Sequence, residues 1–263
     1  MDSLVQLTWC AKLLAVGLLV QTAELLWRWR DLRPGGLLHW GTWDLLHAAP
    51  IARRARGLMR FRVTLLALLA RAALALAVLA LPFDHSAMPW LLGGLLVAQV
   101  HYHTRFAMLP GSCDHMFLHG LFSLGAGATV VADPRVRTAA LVYFAAMLAL
   151  AYTSVALGKL RVRGWRDGRY LVDAFRGSEF HFRPIADFLA PRPALARLAA
   201  WATMLLHLAL GLAALCPPPL LPWLLAGGVA FHLGVAALMG LNGFLWAFCA
   251  GYPAVLYVNA LLH

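Results

Sequence analysis

The chain has 263 residues, 62% of them hydrophobic, while Asp, Glu, Lys and Arg together make up only 13%. Soluble domains carry about 45–50% apolar and about 25% charged residues, so this composition excludes an ordinary soluble fold, and it leaves too much apolar surface for a disordered chain. The net charge of +11 is gathered in clusters between long uncharged stretches, which argues against a nucleic-acid binder and predicts an all-α polytopic membrane bundle whose first partner is the lipid bilayer.

A membrane-crossing helix needs about 20 mostly apolar residues. Leu4 to Trp27 qualifies, interrupted by Lys12 and Glu24. It does not read as a signal peptide, because Met1-Asp2-Ser3 lacks a basic start and no cleavage pattern follows. Val63 to Leu81 is a second span, with Arg71 inside it, and Pro89 to Met108 is a weaker third. His115 to Val131, Thr138 to Gly158 and Ala194 to Leu215 follow. Cys216-Pro217-Pro218-Pro219 then breaks the helix, and Leu220 to Met239 and Gly243 to Leu262 close the series. The pattern therefore predicts one domain of about eight spans (six to nine).

Two connections are rich in arginine. Residues 28–62 hold eight Arg against Asp31 and Asp44, and a second runs from Lys159 to Arg192. Four spans separate the two, so both are expected on one face, the cytoplasmic one by the positive-inside rule. Pro82 to Met88 and the triple proline would then be external. So would Asp133 to Arg137, against its charge. Leu37 to His47 and Tyr170 to Phe175 read as short interfacial helices anchored by Trp40, Trp43 and Tyr170. Arginine outnumbers lysine twenty to two. That bias, with the abundance of alanine, points to a GC-rich bacterial genome and a bacterial cytoplasmic (inner) membrane. The four cysteines show no metal-ligand spacing and read as small packed hydrophobes.

Ionisable side chains inside spans are energetically costly and each needs a partner or a function. Lys12 and Glu24 are about 18 Å apart along one helix and cannot pair. Arg71 must find a carboxylate, a carbonyl or water. Asp114, His115, His119, His207 and His232 form the densest polar set, with His115 and His119 on one helix face at i,i+4. Each histidine alone reads as an interhelical hydrogen bonder. Together they predict a polar cavity, with His115, His119 and His232 facing it, able to hold protons, a quinone headgroup, a metal ion or a haem ligated by two histidines. Lys159 closes an apolar helix at the bilayer edge. It reads either as a snorkelling anchor or as a partly desolvated amine acting as a general base.

The run Tyr152-Thr153-Ser154-Val155-Ala156-Leu157-Gly158-Lys159-Leu160, then Trp165 and Gly168, resembles a signature of the vitamin K-dependent γ-carboxylase and its bacterial relatives, the horizontally transferred transmembrane (HTTM) domain proteins. Asp114-His115-Met116-Phe117-Leu118-His119-Gly120-Leu121 is similar to a second family motif. Phe231-His232-Leu233, with Met239 to Asn242 and Phe244, is similar to a third. The resemblance runs from Arg105 to Pro253. It implies that Lys159 is the catalytic base and His115 a residue that stabilises the developing anion. Asp114, His119, Trp165, His207, His232 and Asn242 would then line the substrate and cofactor cavity, with no resident metal. It further implies a lyase-type membrane enzyme in which a reduced quinone of the vitamin K or menaquinol type drives modification of a peptide or small acceptor.

The sequence departs from the family at several points. One extra residue stands between Lys159 and Trp165, and His207 stands where many relatives carry a carboxylate. No counterpart of the carboxylase's lumenal portion follows the last span, so a small secreted peptide or a partner protein delivering substrate is expected. The alternatives are a non-catalytic subunit binding haem or quinone, and a maturation or immunity accessory for a secreted peptide.

Overall fold

The computed structural model describes residues 1–40, 56–106, 112–177 and 183–263. Among them every regular element is helical. The helices longer than four residues are α1 (Ser3–Trp27), α2 (Phe61–Ala80), α3 (Met88–Arg105), α4 (Ser112–Thr129), α5 (Pro134–Arg161), α6 (Arg169–Arg176), α7 (Arg183–Leu189), α8 (Pro193–Gly211), α9 (Leu221–Met239), α10 (Asn242–Cys249) and α11 (Tyr252–Leu262). Among the described residues six stretches are long and apolar enough to cross a membrane: α1, α2, α5, α8, α9 and the α10–α11 pair. The helices α3 and α4 fall short because Gln99, His101, His103 and Arg105 crowd the end of one, and Asp114, His115 and His119 the start of the other.

Helix starts follow local chemistry. The side chain of Asp2 accepts from the Leu4 N–H at 2.8 Å and opens α1, and Asp133 does the same for α5 through Arg135. Proline occupies the first turn of α3, α5, α8, α9 and α11, where its missing N–H would have had no helical partner. Pro253 also explains a difference from the single span expected over Gly243 to Leu262. Its ring cannot follow the carbonyl of Cys249 in a continuous helix, and the chain breaks at Ala250 and Gly251 into α10 and α11.

The centre of the bundle is α1, which packs on α2, α4, α5, α10 and α11. Leu7, Cys10, Leu14 and Leu18 of α1 are buried against Phe117, Phe144, Leu148 and Ala247 in one continuous core. Lys12 is satisfied by packing of the same kind. Its ammonium donates to the carbonyls of Val78 (3.0 Å), Leu79 and Leu81 (2.8 Å). These are orphan acceptors at the C-terminal end of α2, the end of a helix that favours a cation. A second, smaller core of Leu25, Leu32, Leu38, Leu68, Tyr102 and Phe106 ties the first connection to α1, α2 and α3.

Arg169–Arg176 forms a short helix where Tyr170 to Phe175 was expected. The expected helix from Leu37 to His47, with its Trp43 anchor, lies mostly outside the described residues. Trp40 is buried, not a surface anchor. Four long helices, α2 to α5, lie between the two arginine-rich connections, which brings both connections to the same end of the bundle.

Candidate functional site

The last turn of α5 carries Lys159. Tyr152 lies two helical turns earlier on the same face, about 10 Å away along the axis. Both line a cavity of about 540 Å³ enclosed by α5, α6, α7, α8, α9 and α10. Its walls are almost wholly apolar or aromatic, with Val155, Leu171, Phe175, Phe231, Phe244 and Phe248 prominent. The basic side chains of the described lining are Lys159, His207 and His232, and no carboxylate is among the described lining residues.

The Lys159 ammonium stands 4.5 Å from the centroid of the Trp165 ring, within the range of a cation–π contact. The sequence builds this contact locally. After α5 the chain makes one helical turn, Arg163–Arg166. Gly164 leaves room there for the Tyr170 ring, which a Cβ would meet at 2.6 Å. Gly168 then takes φ +86° and lies so close to α8 that a Cβ would come within 2.5 Å of the Ala196 carbonyl carbon. Only glycine fits both demands. The result is that α6 folds back and lays Leu171, Ala174 and Phe175 over the cavity.

At the other end of the cavity three polar side chains meet. The Tyr152 hydroxyl is 2.7 Å from His232 Nε2 and 2.9 Å from the Tyr252 hydroxyl. Gly228 makes room for Tyr252, whose hydroxyl lies where a Cβ would project. His207 Nδ1 is 2.6 Å from the Thr203 carbonyl, so this nitrogen carries the proton and Nε2 is left as the open edge of the ring. The His232 ring stacks on Phe248 at 5.0 Å, and Phe248 lies nearly parallel to Phe244 at 5.9 Å, giving a stack of three aromatic rings. The Nδ1 of His232 is buried without a hydrogen-bond partner.

The remaining expected site residues lie elsewhere. Asp114 and Asn242 line a separate cleft of about 110 Å³ with Gln21 and Glu24, and Phe244 is shared by this cleft and the larger cavity. Asn242 donates to Glu24 Oε1 at 2.6 Å. His119 bonds the Tyr143 hydroxyl at 2.9 Å. His115 is exposed, with its ring 4.8 Å from that of His103. The shared cavity expected for His115, His119 and His232 is therefore not formed: of the three, only His232 lines the Lys159 cavity. The i,i+4 spacing put two histidines on one face of α4, but that face turns toward α3 and α5.

Arg71 is fully buried and finds amides and a hydroxyl. It donates to Thr22 Oγ1 at 3.0 Å, to Gln21 Oε1 at 2.8 Å and to Gln99 Oε1 at 2.5 Å, with the Tyr102 ring centroid 4.3 Å away. Gln21 passes this polarity on by donating to Asp114 Oδ1 at 3.1 Å. Asp114 Oδ2 in turn lies 3.9 Å from His103 Nδ1.

Sequence reasoning did not single out Tyr252, Thr203, Gln21 or Gln99. A tyrosine or an amide in an apolar helix carries no spacing signal of its own. Among the described residues no group of three or more His, Cys, Asp or Glu could hold a metal ion. In comparisons with known proteins, no family model, no curated protein and no solved structure matches this chain.

Proposed function

We propose that the chain is an integral membrane enzyme of the HTTM and carboxylase-like type, lying in a bacterial cytoplasmic membrane. Lys159 acts there as a general base toward a reduced quinone, in the modification of a peptide or small acceptor. One observation carries this reading. The only lysine in the second half of the chain opens into an apolar cavity with no carboxylate in its described lining, and it faces an aromatic ring. Such an amine can release and recapture a proton, which no snorkelling role requires.

The residues suit a lipophilic ring compound. The volume of about 540 Å³ falls within the usual range of small-molecule sites, and the stack of Phe244, Phe248 and His232 in its lining suits an aromatic ring. A reduced quinone supplies an acidic hydroxyl and the reducing equivalents for reaction with oxygen. Lys159 takes the proton of that hydroxyl. His207 offers its Nε2 edge, while Tyr152, held by His232 and Tyr252, keeps the far end of the cavity ordered. The hydrogen-bonding role that the resemblance gave to His115 falls to these residues, since His115 is exposed and outside the cavity lining. Haem suits the site less well. His232 Nε2 is engaged by Tyr152 and its Nδ1 is buried, so ligation through His232 would first have to break the tyrosine bond.

The test uses the full chain in vesicles supplied with a reduced naphthoquinone, following oxygen-dependent quinone conversion. Lys159→Arg and Lys159→Ala should insert and accumulate like the wild type and lose conversion, because guanidinium does not deprotonate in proteins. Full conversion by the Arg variant would return Lys159 to the role of an anchor. A Soret band in the purified protein would favour the haem-binding alternative.

A further inference from the structure

At the end of the bundle where α1 stops and α2 begins, an open cavity of about 880 Å³ is lined by Arg33, Pro34, His39, Trp40, Arg60, Phe61, Arg62 and Val63. It holds three arginines, and no acidic residue is among the described lining residues. Four exposed arginines elsewhere are committed: Arg28 to Asp31 and Arg169 to Asp167, each at 2.9 Å, and Arg166 and Arg192 to backbone carbonyls. Arg33 instead lays its guanidinium on the Trp29 ring, 3.8 Å from the centroid, with Phe61 at 5.9 Å. Stacking uses the face of the group and leaves its N–H edge free, the edge that binds phosphate bidentately. Arg60 and Arg62 are exposed and no carboxylate among the described residues pairs with them.

The cavity continues into an apolar track. Arg62 is followed on α2 by Leu66, Leu69, Ala73 and Leu76, spaced alternately four and three residues apart. All are exposed, the leucines at 66%, 49% and 57%. This spacing puts them on one helix face below Arg62. A phosphate at the arginines would therefore sit at the head of a strip suited to an acyl chain.

We propose that this cavity binds the headgroup of an anionic phospholipid, with an acyl chain lying along the exposed face of α2. The site needs the chain to lie in a bilayer but does not depend on any chemistry at Lys159. Basic pockets at one membrane face are suited to anionic headgroups. The leucine track distinguishes a lipid from free phosphate, which would gain nothing from it.

The experiment titrates the full chain in neutral detergent with phosphatidylglycerol, phosphatidylcholine and inorganic phosphate, reading bound lipid by native mass spectrometry. Saturable binding of phosphatidylglycerol is expected, with phosphatidylcholine and phosphate at least about tenfold weaker. The combined Arg33→Gln, Arg60→Gln and Arg62→Gln variant should lose at least about tenfold in affinity, whereas Arg163→Gln with Arg176→Gln, in the other basic connection, should keep it. Equal loss in both variants, equal binding of phosphatidylcholine, or phosphate binding as tight as the lipid would overturn the site. If the triple variant does not fold, Arg62→Gln alone, at an exposed position, is judged by the same direction of change.

Discussion

Tyr152 and Arg71 each hold together a buried polar cluster. The Tyr152 hydroxyl joins α5 to α9 and α11 through His232 and Tyr252. Tyr152→Phe keeps the ring and strands the Nε2 of His232, whose Nδ1 already lacks a partner. It should cost about 1–3 kcal/mol of stability, measured by unfolding in detergent, and no change would mean that the hydroxyl bonds contribute nothing. Arg71→Met retains most of the volume but leaves Gln21, Gln99 and Thr22 without their shared donor. A loss of roughly 3 kcal/mol is expected, since the affected bonds are to a charged group in a buried place. Arg71→Lys should recover only part of it, because a single ammonium cannot reach all three acceptors as the planar fork does. Equal stability of the Lys variant and the wild type would show that charge alone suffices there.

Among elements, α6 is the one whose position decides the shape of the cavity, and two neighbouring residues set it. Asp167 accepts from the Arg169 backbone N–H at 3.1 Å and from its side chain at 2.9 Å. The backbone bond, followed by the side-chain bond and then the charge of Arg169, holds its carboxyl below the usual carboxylate range. A depressed acid stabilises the folded arrangement above its unfolded value, near 3.9, and that contribution is lost as pH falls through the lowered one. Amide exchange in the first turn of α6 should thus quicken only in acid, and Asp167→Asn should remove the pH dependence. Gly168→Ala forces a side chain into left-handed backbone against α8, at about 1–3 kcal/mol. On the proposed quinone reading it should also weaken binding of the reduced naphthoquinone by displacing Leu171 and Phe175, and unchanged binding would detach α6 from the site. These elements differ in how legible they were. The apolar stretches mark the long helices to within a few residues, because hydropathy reports directly on the sides that face away from water. Lys159 and Trp165 were legible only as two residues of a resembled motif; their contact comes from the turn that Gly164 and Gly168 permit. The meeting of His207, His232 and Tyr152 was visible only as polar groups in apolar helices. Which neighbour a helix face meets is decided by packing between distant segments, so His115 and His119 were placed wrongly beside His232.

At the scale of the whole molecule, contacts from remote parts of the chain sort the connections into two ends. Arg105 donates to the Leu38 carbonyl, Gln21 to Asp114, and Asn242 to Glu24, gathering the ends of α1 and α3 with the starts of α4 and α10. At the opposite end Asn259 donates to the Ala214 and Cys216 carbonyls, and Thr138 bonds Tyr257. Both arginine-rich connections therefore belong to the first end, and the connection between α2 and α3, with exposed His85 and no Lys or Arg, belongs to the second. A bilayer around the bundle would hold the arginine-rich end toward the cytoplasm, because Lys and Arg near helix ends resist translocation. In a background without the partly exposed Cys216 and Cys249, Arg33→Cys and Arg176→Cys should react with an impermeant maleimide in inverted vesicles only. His85→Cys should react in right-side-out vesicles only. Labelling of positions 33 and 176 from opposite sides would require an odd number of crossings between them. That would break the alternation of α2 to α5 on which the position of Lys159, in the last turn of α5 where the second basic connection begins, depends.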